Sequence, residues 1–171
     1  MSEVLSDERF LELFGNEPFK DLTPEENSEL GVLRAKKSYL GIRPIDFDVD
    51  RGSDFMFDSE EIPALDYFAV LPAVLRAYTS DQSHVFLTHE IYRFQSFSFE
   101  LDPKSAEVPR LRHMFQRLGY GQSHIRYIIE MLRQFKKQLG LEGHTYYKPD
   151  NIEKGLEAAF DDAIACFTLV L

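Results

Sequence analysis

Helical signals run through this chain, and they predict a mainly α fold: a single irregular bundle of about six helices over residues 1–171. Apolar residues recur at i, i+3, i+4 and i+7 in several windows, the spacing that lines one face of a helix. Cap and stop residues bound those windows, as in "LTPEENSEL" and at Gly119 and Gly140. One stretch breaks the rule. "PIDFDVD" alternates Ile45, Phe47 and Val49 with Asp46, Asp48 and Asp50, which predicts a short extended or hairpin element near residues 43–58.

The elements follow in order. Ser6 precedes DERFLELF, with Phe10, Leu13 and Phe14 at helical spacing and Gly15 as a stop. Thr23 is a cap residue, Pro24 suits the first helical position, and Glu26 completes a capping box, so a helix is expected from there to about Ser38. Ser59 opens "EEIPALDYFAVLPAVLRAY", apolar on almost every side as in a buried helix, with Pro72 in its middle. Residues 85–101 read two ways: Phe97, Phe99 and Leu101 alternate like a strand, while Ile91 and Phe94 fit a helix from a Thr88 cap, and the helix to Phe97 is preferred. A further helix starts at Pro109 and carries Leu111, Met114, Phe115 and Leu118 before Gly119. The next runs from Gln122 to Leu139 with the stripe Ile125, Ile128, Ile129, Leu132 and Phe135. The last is expected from an Asp150 cap, burying Phe160, Ala163 and Phe167.

At 171 residues, 44% hydrophobic and 28% charged, the chain has the make-up of a folded globular domain. No run approaches the roughly 20 apolar residues of a membrane span, and MSEVLSDERFLELF lacks the basic start of a secretory signal. Cys166, the one cysteine, lies in AIACFTLVL and is expected to be a buried, inert thiol in a reducing cytoplasm. The net charge of −10 is uneven. Residues 1–62 hold 16 acids against 7 bases, whereas residues 103–148 hold 9 bases against 3 acids. Overall acidity disfavours nucleic acid as the main ligand, because phosphate binding needs clustered cations. It favours a partner that is itself basic.

The chemistry-bearing candidate is "DFDVDRGSDFMFDSEE", residues 46–61. Counted from Asp46 as a calcium loop, Asp48, Asp50 and Asp54 fall on ligand positions, but the glycine position holds Arg51 and the bidentate position holds Phe57. A row of carboxylates facing water or a partner explains more. The residues expected to bind that partner are Asp46, Asp48, Asp50, Asp54 and Asp58, with Phe55 and Phe57 as apolar anchors. No catalytic or metal-ligating residue and no cofactor is assigned. A metal-dependent enzyme or metal-binding protein using the same carboxylates, with His84 or His89, stands as the alternative, and a structural or regulatory subunit as another. His84 and His89 are about 140° apart on a helix, so they share no face. The basic residues Arg110, Arg112, Arg117, Arg126, Arg133, Lys136 and Lys137, interleaved with Tyr120 and Tyr127, read mainly as the wet side of helices. They also offer a surface that the acidic stretch of a second chain could meet in a homodimer.

"DYFAVLPAVLRAY" resembles a helix in a family of small bacterial cytoplasmic proteins of unknown function, in which an aromatic pair precedes Leu-Pro-Ala and a further Leu. Here these are Tyr67, Phe68, Leu71, Pro72, Ala73 and Leu75, and "GQSHIRYIIEML" is similar to that family's closing helix. The resemblance spans residues 59–137 and departs from the pattern by inserting Ala69 and Val70 before Leu71. It implies a small cytoplasmic helical domain and brings no catalytic residues. The function expected is that of a cytoplasmic protein-binding domain without enzymatic activity, for example a bacterial immunity-type toxin inhibitor.

Overall fold

The computed structural model describes residues 5–80, 107–138 and 156–171, and the chain divides into two compact units, residues 1–85 and 86–171. Among the described residues there are seven α-helices and no strand. The first unit contains α1 (Asp7–Phe14), α2 (Leu30–Lys36), α3 (Val49–Phe57) and α4 (Ala64–Ser80), with 3-10 turns at Pro24–Glu26, Pro44–Asp46 and Ser59–Glu61. The second contains α5 (Glu107–Arg117), α6 (Gln122–Gln138) and α7 (Leu156–Leu169). The expected Asp150 cap and residues 85–101 lie outside the described residues.

Two expectations for the first unit need correction. The helix from Thr23 to Ser38 is in fact one 3-10 turn followed by the shorter α2. Thr23 makes no capping bond, because its hydroxyl is engaged elsewhere, as set out below. The extended or hairpin element is a helix. Asp48 caps α3 by accepting from the Arg51 N–H at 2.9 Å. Aspartate is poor in strands but among the best N-caps, so the acids that seemed to line a strand start a helix instead. Val49, Gly52, Phe55 and Met56 are its buried face. Gly52 hid that stripe from an apolar count. It faces α4, where a Cβ would meet the Tyr78 ring at 3.4 Å.

Phe55 is the centre of the first unit's core. Its ring packs edge-on to Tyr39 at 5.9 Å and to Phe47 at 6.3 Å, and tilts over Tyr67 at 5.3 Å. Phe19 joins this group through Tyr39 and Phe47. Its backbone exchanges bonds of 2.9 Å with Ile42 and Gly41. Edge-on pairs add to the area each ring buries. α4 is buried on most sides, as its composition requires, and Arg76 near its end bridges Asp7 at 2.8 Å and lies over the Phe10 ring.

In the second unit α5 stops at Gly119, whose φ of 72° is the left-handed conformation glycine adopts without penalty. Tyr120 N–H reaches Phe115 C=O at 2.8 Å and Gly119 N–H reaches Gln116 C=O at 3.1 Å, while the Phe115 and Tyr120 rings pack together. This is a Schellman stop with its apolar contact. α6 packs on α7 through Phe135 and Phe160, and Phe115 stacks on Phe167 at 5.5 Å. Cys166 is a buried thiol. No helix of the described residues is long and apolar enough to cross a membrane.

Phe55 is fully buried, so it belongs to the core and is not an anchor for a partner, whereas Phe57 is 55% exposed. Phe55→Ala is expected to cost about 3–5 kcal/mol in denaturant unfolding, and Phe57→Ala less than about 0.5 kcal/mol. Equal losses at both positions would contradict this division of α3.

Candidate functional site

The carboxylates of residues 46–61 do not converge. Asp46 is held by Arg43, whose Nε and Nη2 lie 2.6 and 3.0 Å from its two oxygens. Asp48 is occupied as the α3 cap. Asp58 ends α3 and faces Arg34 at 3.5 Å. Asp50 and Asp54 remain, one turn apart on the outer face of α3 and both exposed, and Phe57 continues the same face at i+7 from Asp50. Among the described residues neither Asp50 nor Asp54 has an ion-pair partner. Also among the described residues, no three His, Cys, Asp or Glu side chains are placed to hold a metal ion. His84 and His89 lie outside them.

Sequence reasoning missed the most concentrated polar chemistry in the first unit. Lys36 is 1% exposed, and its ammonium donates to Asp21 Oδ1 and Asn27 Oδ1 at 2.6 Å, to the Thr23 carbonyl at 2.7 Å and to Thr23 Oγ1 at 3.0 Å. An ammonium is donor-only, so Thr23 Oγ1 accepts from Lys36 and gives its own proton to Asp66 Oδ2. Asp66, itself 1% exposed, takes the Leu22 N–H on its other oxygen at 3.1 Å. Asn27 Nδ2 closes the ring on Asp21 Oδ2 at 2.8 Å. A buried lysine is tolerable only when each donor is matched in this way. Thr23 and Glu26 of the expected capping box, and Asn27 after them, are drawn into this cluster or its turn, which is why α2 begins only at Leu30.

Two groups respond electrostatically. Burial raises the Asp21 pKa, but the bonds from Lys36, Asn27 and the Thr23 N–H outweigh it and hold the carboxyl below its ordinary 3.8. Burial, then the negative charge of Asp66, pushes the Tyr39 hydroxyl well above its usual range. That hydroxyl is buried close to Asp66. A threonine hydroxyl between a lysine and a carboxylate has the elements of an activated nucleophile. Here Thr23 is 3% exposed and Lys36 1%, so no substrate atom reaches them, and the cluster is a tie within the fold.

The basic residues of the second unit are partly spent internally. Arg112 donates to the Leu169 carbonyl at 2.9 Å, Arg133 pairs with Glu130, and Lys136 bridges to Asp161 at 2.8 Å. Tyr127 is buried and Tyr120 stacks on His124 at 5.2 Å, so neither ring is presented to a base. Compared with models of protein families, with curated proteins and with solved structures, the chain shows no match.

Replacing Lys36 with Met leaves Asp21, Asn27 and the Thr23 carbonyl without their donor, and is expected to lower stability by about 3–5 kcal/mol. A loss under about 1 kcal/mol in a denaturant titration would show the tie to be dispensable. Because the folded Asp21 pKa is depressed, its contribution is present above the unfolded value and lost as pH falls through the folded one. Stability should therefore drop below about pH 4, and drop less steeply in Asp21→Asn. A steeper or identical drop in the variant contradicts the assignment.

Proposed function

We propose that this is a cytoplasmic binding protein that docks a basic protein partner through the outer face of α3. The observation carrying this reading is the pair Asp50 and Asp54 at i and i+4 on an exposed helical face, with Phe57 beyond them. Like charges at that spacing destabilise a helix by about 0.2–0.5 kcal/mol. Among the described residues no ion pair engages either carboxylate. A cationic partner would engage them. Uneven charge along the chain adds a field that steers such a partner and makes association sensitive to salt. Inhibitors of the immunity type, which block a basic toxin acting on nucleic acid or membranes, are the class of protein this describes.

The contact residues are accordingly Asp50, Asp54 and Phe57, with Asp58 beside them and Asp46 and Asp48 committed to local bonds. Affinity capture at low salt, from cells that make the protein, should return a basic protein that Asp50→Asn/Asp54→Asn fails to hold. The same double variant should melt close to the wild-type temperature, since the repulsion it removes and the favourable N-terminal position of Asp50 that it also removes are of similar size. A basic partner held equally by both proteins, or binding unaffected by ionic strength, would refute the docking face.

A further inference from the structure

Three large apolar side chains of the first unit stand in solvent close to the acidic stripe: Leu30 is 86% exposed, Phe57 55% and Leu33 41%. Leu30 and Leu33 share one side of α2 with Arg34, as i, i+3 and i+4. Arg34 reaches Asp58, and a Cβ on Gly31 would stand 2.7 Å from Glu61 Oε2, so α2 lies directly against the segment that follows Phe57. The leucines and the phenylalanine thus sit on adjoining pieces of one surface. Single exposed apolar residues need no explanation, but a group of them rimmed by charge marks an interaction site. The rim here carries more acids than bases, with exposed Glu26 and Glu29 just before Leu30 and Asp54 and Glu61 on either side of Phe57, against exposed Arg34 and Lys37 beside the leucines.

The sign of that rim selects the occupant. A second copy that set this surface on itself would bring like carboxylates together, which is unfavourable. The basic residues that a second copy could otherwise offer from its second unit are partly paired internally, Arg112 with the Leu169 carbonyl, Arg133 with Glu130 and Lys136 with Asp161. Resting on the docking reading above, we propose that this face seats a basic amphipathic segment of a partner protein. Its apolar residues cover Leu30, Leu33 and Phe57, and its lysines or arginines face Asp50 and Asp54. Charge sets the approach, and the apolar contact sets the residence time.

The test uses the full chain and three peptides: a Leu-Lys peptide with a continuous apolar stripe, the same residues scrambled to abolish the stripe, and a Leu-Glu peptide of matching pattern. Wild type should bind the striped basic peptide tightest. Leu30→Ser/Leu33→Ser should weaken it about tenfold or more while leaving the melting temperature and the salt dependence unchanged, since both side chains are at the surface. Equal binding of the striped and scrambled basic peptides, or no effect of the leucine variant, overturns the apolar seat but leaves acidic docking standing. Failure of every basic peptide to bind at low salt removes the docking reading itself. Concentration-dependent dimerisation abolished by the leucine variant would overturn the proposal by assigning the face to a second copy.

Discussion

A buried ammonium must be matched donor for donor, and that constraint at Lys36 organises the first unit. Taking a lysine out of water costs several kcal/mol unless oxygens replace its hydration. Four oxygens from Asp21, Thr23 and Asn27 surround its three N–H donors, so one N–H is shared between two of them. Supplying them forces the chain between α1 and α2 to fold down over α2, and Asp66 on α4 then holds it from the other side through Thr23 and the Leu22 N–H. One side chain therefore joins the loop, α2 and α4. Tyr39 follows three residues after Lys36 and brings its ring onto Phe55, so the polar tie and the aromatic core are built from the same short stretch.

The outer surface follows from that interior. With Ala35 and Lys36 turned inward, the helical repeat leaves Leu30, Leu33 and Arg34 outside. With Val49, Gly52, Phe55 and Met56 against α4, the same repeat puts Asp50, Asp54 and Phe57 outside on α3. The proposed docking face consists of what remains after the core is satisfied. Its chemistry reflects positions that packing leaves free, so its acids and exposed apolar residues can be read for binding.

Helix class was legible because 3.6-residue periodicity survives in α5, α6 and α7, and at the end of α5 the apolar stripe coincides with a glycine stop, Gly119. The α3 helix was not, since Gly52 interrupts its apolar stripe while Ile45, Phe47 and Val49 happen to alternate. The signal that would have found it was Asp48, a cap residue followed three residues later by Arg51, whose N–H it takes. The acidic segment stood out in the sequence, but the roles within it did not: Asp46 and Asp48 serve local bonds and Phe55 serves the core. The Lys36 cluster left no trace in the sequence, because its members are separated by up to 45 residues and only folding brings Asp66 to Thr23 and Asp21 to Lys36.

Amide hydrogen exchange at Leu22 and Thr23 tests the central tie most directly. Both residues lie in a loop, but their N–H groups donate to Asp66 and Asp21 at 3.1 Å. If the Lys36 cluster clamps that loop to α2 and α4, these two amides exchange on the timescale of the α4 core amides and lose protection together with them. Exchange at the rate of an unstructured chain, with α4 still protected, would show that the loop opens freely and that the first unit does not depend on the clamp.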